Sequence, residues 1–217
     1  MSTPLPHKVS PGNPCPFLRM LVAQGLLDDR RASIGDATEV IERVAATGEG
    51  APQLPGIAIR LIALLANGLG PASLLDNGIH GVKLNQLRDG PFDKRGAGSR
   101  ILDKRARVRP AELERLREFA SLKATAGGGR EWGLDAAELQ AMMDANYARA
   151  GATRRVVDRQ LMEGEWPILL QVMGKEGRDG RYLSLREVRA LFEARRLPAR
   201  MARRLCTRAW PGCRARR

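Results

Sequence analysis

The Pro14-Cys15-Pro16 triplet constrains this 217-residue chain more than any other stretch. Two fixed φ angles bracket one cysteine and push the residue before each proline towards extended backbone, so Cys15 is held in a stiff turn. Pro16 suits the first helical position. Phe17, Leu18, Leu21, Val22 and Leu26 then recur along one apolar helical face that stops near Gly25 and Asp28. The thiol accordingly sits at the mouth of a helix, where free backbone N–H groups and the positive end of the macrodipole favour the thiolate. Two uses stay open for it at this point: a nucleophilic or metal-binding thiolate, or a small buried hydrophobe.

The core has to be aliphatic, because apolar residues make up 43% of the chain but only nine residues are aromatic. With helix-period patterns along most of the sequence, the expected class is all-α, one globular domain of about seven to nine helices. It would occupy residues 13–198, after an irregular lead over 1–12 and before a basic tail over 199–217. Ser33 or Asp36 caps a helix carrying Ala37, Val40, Ile41 and Val44, and the nearly continuous apolar run Ile57 to Ala66 reads as a central core helix. Gly70 to Leu102 is rich in glycine and short on periodicity, apart from a small element at Leu84 to Leu87. Pro110 to Leu122 reads as an amphipathic helix followed by a Gly127 to Gly129 loop, and Asp135 caps the next helix. An apolar helix from Val156 to Met173 breaks near Pro167; after the GKEGRDG turn, Ser184 to Arg196 is the last helix, with Glu187 completing a capping box and Pro198 ending it. Met142, Met143, Phe119 and Tyr147 fall at core spacing, and His7 and His80 read as loop polarity. The GKEGRDGRYLSLREV stretch has the D-G step of a calcium loop, but Lys175, Gly177 and Arg186 stand where oxygen ligands are needed.

The net charge of +13 raises the question of nucleic acid. Nine arginines crowd into Arg195 to Arg217 and the others are scattered among acidic residues, with no zinc ligand set, helix-turn-helix spacing or aromatic-interleaved basic strand. That pattern excludes a sequence-specific reader and leaves non-specific polyanion contact through the tail. Cys15, Cys206 and Cys213 are an odd count, unlike a disulfide scaffold, and point to a reducing compartment; the last two, seven positions apart, either pair or are incidental. The first residues lack an apolar leader core and no run reaches spanning length, so a cytoplasmic protein without a membrane span is expected. The sequence carries no signal for oligomeric state.

Three separated stretches add a resemblance. They are Asn13 to Leu27 (NPCPFLRMLVAQGLL), Lys83 to Arg100 (KLNQLRDGPFDKRGAGSR) and Gly164 to Pro198 (GEWPILLQVMGKEGRDGRYLSLREVRALFEARRLP). In that order they resemble the haem-thiolate peroxidases, the family of chloroperoxidases and unspecific peroxygenases, of which this chain looks like a divergent unexported member. The resemblance implies a helical fold around a haem pocket, with haem b as cofactor and Cys15, framed by Pro14 and Pro16, as the proximal iron ligand. Counting back from Ser99 and Arg100, the residues Asp93, Lys94 and Arg95 stand where the family has an E-H-D or E-G-D triplet, around which an acidic residue, a backbone oxygen and a serine, here Ser99, hold a divalent ion beside a haem propionate. A Lys-Arg pair instead meets the propionates as cations, so no separate Mg²⁺ or Mn²⁺ is expected. Glu165 stands at the matching glutamate and is implied as the acid–base carboxylate, oriented by Lys94 or Asp93. The implied activity is oxidation of small organic substrates by hydrogen peroxide. The alternative is a helical relative that keeps the scaffold and binds haem or a partner without peroxidase turnover.

Overall fold

Four short strands interrupt the helices of this chain, and they overturn the all-α expectation. The computed structural model describes residues 7–94 and 98–207. Strands β1 (Ser121–Ala124), β2 (Arg130–Leu134), β3 (Lys175–Gly177) and β4 (Gly180–Ser184) form one antiparallel sheet in the order β1-β2-β4-β3. No strand exceeds five residues, so none carries enough alternation to register against the helical patterns around it. Cross-strand pairs stabilise them instead: Leu122 opposite Trp132, Lys123 opposite Glu131, Glu176 opposite Arg181 and Leu134 opposite Leu183. The scarcity of aromatic residues pointed to helices, yet Trp132 and Tyr182 are both spent on this sheet. The supposed calcium-like turn is the β3–β4 hairpin. The Gly127 to Gly129 loop is the β1–β2 turn, where Gly128 takes a φ of 87° that suits glycine alone.

Helix α1 (Pro16–Ala23) starts at Pro16 with Cys15 as its N-cap, as its prolines require. Ser33 caps α2 (Ile34–Ala45) by accepting from Asp36 N at 2.9 Å. Next come α3 (Gly56–Leu65) and α4 (Pro71–His80), followed by a 3₁₀ turn at Leu84–Gln86 where a small element was expected. The amphipathic segment after Pro110 is only α5 (Pro110–Glu114) and one 3₁₀ turn (Arg115–Glu118), because its last residues are drawn into β1. Asp135 caps α6 (Ala136–Arg149) in a complete capping box with Glu138. The long apolar helix is two, α7 (Val156–Glu163) and α8 (Trp166–Met173), broken at Gly164 and Glu165 just ahead of Pro167. Last are α9 (Leu185–Glu193) and α10 (Ala199–Thr207).

The core forms where α1, α6, α8 and α9 meet one another and the inner face of β2 and β4. Met20, Leu21, Leu134, Met143, Trp166 and Leu191 are almost wholly buried there, each worth roughly 1.5–3 kcal/mol of transfer free energy. Trp166 and Phe192 stack with ring centres 6.4 Å apart. Met142 and Met143 are core, and Phe119 and Tyr147 pack against it.

Two elements sit elsewhere than their sequences suggested. Helix α3 is a surface helix: Ala63 is its one buried residue, while Ile57 is 84% exposed and Leu61 and Ile62 are about half exposed. Its neighbour α4 exposes Leu75 and Ile79, and His80 closes that helix at the surface. Conversely, the first half of the basic tail is α10, whose Met201 and Leu205 are buried and whose Arg204 reaches the carbonyls of Thr47 and Gly48 at 3.0 Å. The capping box at Ser184 does not form. Ser184 Oγ is taken by Glu131 at 2.9 Å and the Glu187 carboxylate by Arg200 at 2.9 Å. Among the described residues no helix is long and apolar enough to cross a membrane.

Candidate functional site

The turn holding Cys15 is built by its neighbours as much as by its prolines. Asn13, fully buried, accepts from Cys15 N through its side-chain oxygen at 3.2 Å, an Asx-type turn. Arg19, one turn into α1 and itself buried, donates back to the carbonyls of Ser10 (2.7 Å) and Asn13 (3.0 Å). Burial, with the charges of Arg195 and Arg88 nearby, pulls its guanidinium down to about 10, still a cation at neutral pH. Gly12 then joins the turn to the 3₁₀ segment: its carbonyl accepts from the N–H groups of Leu87 and Arg88, and a Cβ on it would lie 1.9 Å from the Asn85 carbonyl oxygen. Only glycine allows that approach.

From there a relay of hydrogen bonds runs to the other two stretches singled out in the sequence. Arg88 faces Asp93 at 3.6 Å, and the same carboxylate accepts from Asp89 N at 2.8 Å. The Asp93 carbonyl accepts from Arg155 at 2.7 Å, and Arg155 is fixed in turn by the fully buried carboxylate of Asp158, which takes its backbone N–H and guanidinium. Asp93 therefore ties its own loop, which follows the 3₁₀ turn at Leu84–Gln86, to the start of α7, and Lys94 is the next residue of that loop. Lys94 Nζ meets Glu165 Oε2 at 2.8 Å, with both side chains mostly buried. Glu165 sits in the break between α7 and α8, its own carbonyl accepting from Leu169 N.

Cys15, Lys94 and Glu165, from the three distant stretches, share one electrostatic neighbourhood. Burial first, and the Glu165 carboxylate second, push the Cys15 thiol up; the N–H groups of Leu18 and Phe17 and the Lys94 ammonium only partly offset this. The helix N-terminus was expected to favour a thiolate. Although Cys15 as a whole is half-buried, desolvation of the sulfur outweighs that effect and holds the thiol above its ordinary value. For Lys94, burial favours the neutral amine, but the charge and hydrogen bond of Glu165, joined by Cys15 and Asp93, outweigh it and hold the ammonium above its ordinary value. Oε1 of Glu165 has no hydrogen-bond partner among the described residues.

The remaining expected site residues are placed as follows. Pro14 is half-buried and Pro16 buried, flanking Cys15. Ser99 turns its hydroxyl to Ile101 N at 3.5 Å and is not among the groups acting on Cys15 or Lys94. Arg95 lies outside the described residues, as does Cys213. His7 and His80 are exposed. Asn13, Arg19, Arg88, Arg155 and Asp158, which assemble the site, were not singled out from sequence; the Asn-x-Cys step and the Arg155/Asp158 spacing of three were the available signals.

Cys15 offers one soft sulfur donor, the kind of single protein ligand that a thiolate-ligated haem takes. The free thiol is held at a helix N-terminus with backbone N–H groups acting on the sulfur. Buried Asn13 Nδ2, two residues before Cys15, has no hydrogen-bond partner among the described residues. A haem iron asks the protein for that one soft ligand. Among the described residues no three His, Cys, Asp or Glu side chains gather to hold a metal ion by themselves. No family model, curated protein or solved structure matches this chain.

Proposed function

We propose that the chain is a haem-thiolate peroxidase or peroxygenase-like protein that uses hydrogen peroxide to oxidise a small organic substrate. What carries the reading is the meeting of Cys15 with the Lys94–Glu165 ion pair across 150 residues of sequence. Haem b bound through Cys15 supplies an electron-rich iron that favours heterolytic O–O cleavage. Pro14, Pro16 and the Asn13 turn keep the sulfur fixed. Lys94 binds Glu165 Oε2 and so presents Oε1 as the atom that takes and returns a proton. Lys94 is a positioning residue, and its charge also offsets that of Glu165 beside the sulfur.

The same ion pair favours the second reading, a haem- or partner-binding relative without turnover, because Lys94 already occupies one oxygen of the Glu165 carboxylate. Absorption and turnover separate the two. Protein reconstituted with haemin, reduced and exposed to carbon monoxide, should give the absorption of thiolate-ligated haem, and Cys15→Ala should abolish it; a protein that takes up no haem sinks both readings. Glu165→Gln should keep haem and lower peroxide-dependent turnover by about 100-fold. Unchanged turnover removes Glu165 from the chemistry, and a wild-type protein that binds haem but does not turn over establishes the second reading.

A further inference from the structure

A second cleft, of about 620 Å³, opens between α5 with its 3₁₀ turn, β2 and α9, and its lining includes none of Cys15, Lys94 and Glu165. Its apolar lining is Leu113, Leu116, Leu185 and the half-buried ring of Trp132. Two of the cations around it are neutralised at home: Arg189 pairs with Glu114, and Lys175 with Glu131. That accounts for both carboxylates in the lining. Arg130 and Arg186, both exposed, have no carboxylate partner among the described residues, and Arg117 sits over the Trp132 ring, its guanidinium carbon 4.4 Å from the centroid. The cleft is therefore a cationic mouth over an apolar and aromatic wall.

The wall is preorganised. Trp132 is registered opposite Leu122 across the β1–β2 pair, and its neighbour Glu131 is held by Lys175, by Tyr182 at 2.7 Å and by Ser184 at 2.9 Å. A ligand entering here orders few side chains of its own accord, which lowers the cost of binding. The volume lies within the roughly 300–1,000 Å³ of small-molecule sites. Unpaired guanidinium groups are forks that match a carboxylate, and the Trp132 indole, backed by the Arg117 cation, offers a flat apolar surface.

We propose that this cleft binds a small organic anion with a flat apolar body, of the aromatic or fused-ring carboxylate class, its carboxylate on Arg130 and Arg186 and its ring against Trp132. A single-stranded nucleic acid fits less well: it needs several aromatic platforms along a tracked backbone, and the cleft lining has one. The proposal stands independently of the Cys15 reading.

The test is equilibrium binding of 2-naphthoate and its neutral analogue 2-naphthamide to the full chain, followed by calorimetry. The acid is expected to bind at least about tenfold tighter than the amide at low salt, with the difference shrinking as salt rises. The double variant Arg130→Gln/Arg186→Gln should erase that difference, and Trp132→Ala should weaken both ligands about tenfold, with far-UV circular dichroism confirming an unchanged fold. Cys15→Ala should bind as wild type, which separates this site from the first. Equal affinity for acid and amide, undiminished binding to folded Trp132→Ala, or binding of a (dT)₁₂ oligonucleotide with none of 2-naphthoate would each overturn the proposal. The wild-type comparison of acid with amide decides the matter even where a variant fails to fold.

Discussion

At Cys15 the helix N-terminus and the burial of the thiol act in opposite directions, and burial prevails. Sequence gave access to the first effect only, because desolvation depends on what packs over the sulfur. The same limit applies to the groups that assemble the site. Cys15 is legible from its two prolines, and Lys94 and Glu165 only through the resemblance, whereas Arg19 and Arg155 act on main-chain carbonyls, which no spacing of side-chain types encodes. Two predictions belong at this scale. Arg19→Met leaves the buried turn carbonyls of Ser10 and Asn13 without their charged donor and should cost about 2–3 kcal/mol in urea unfolding. Asp158→Ala strips the buried partner from Arg155 and should cost about 3 kcal/mol by the same measurement; loss of less than about 1 kcal/mol would show that Arg155 finds another acceptor.

Among the elements, α3 separates hydrophobicity from burial. Its near-continuous apolar run reads as a core helix, but hydrophobic residues inside is a rule that runs one way, and α3 rests on α2 and α4 with its outer residues in solvent. Ile57→Lys is therefore expected to shift unfolding free energy by no more than about 0.5 kcal/mol, while Leu139→Ala in α6, 1% exposed, should cost about 2–5 kcal/mol. Equal costs would return α3 to the core. The Asp135 cap of α6 was plain in the sequence because a cap adjoins the helix it starts, and the structure adds Glu138 to complete a capping box. Asp135→Ala should lower stability by about 1 kcal/mol, seen as a lower midpoint in thermal unfolding. The box expected at Ser184 failed, since Glu131 and Arg200, far away in the chain, claim its two side chains.

For the molecule as a whole, the sheet makes stability depend on acid. Burial would raise Glu131, but Lys175, Tyr182 and Ser184 hold it below the ordinary carboxylate range; burial likewise opposes Asp135, which Lys123 and the Glu138 N–H hold low. A depressed carboxylate stabilises the fold fully above its unfolded value, about 4 for these residues, and loses that contribution as pH falls through the folded value. The thermal midpoint should therefore be level above about pH 5 and fall below about pH 4, and Glu131→Gln should flatten part of that fall. The sequence by itself determined the helix at Pro16, most helix positions and caps and the break before Pro167, because proline geometry, capping and periodicity are local. Only the tertiary structure decided the sheet, the surface position of α3, the burial of α10 within a charged tail and the desolvation that raises the Cys15 thiol. Each depends on which distant segment arrives opposite it, and strands of five residues or fewer are specified by that partner rather than by their own pattern.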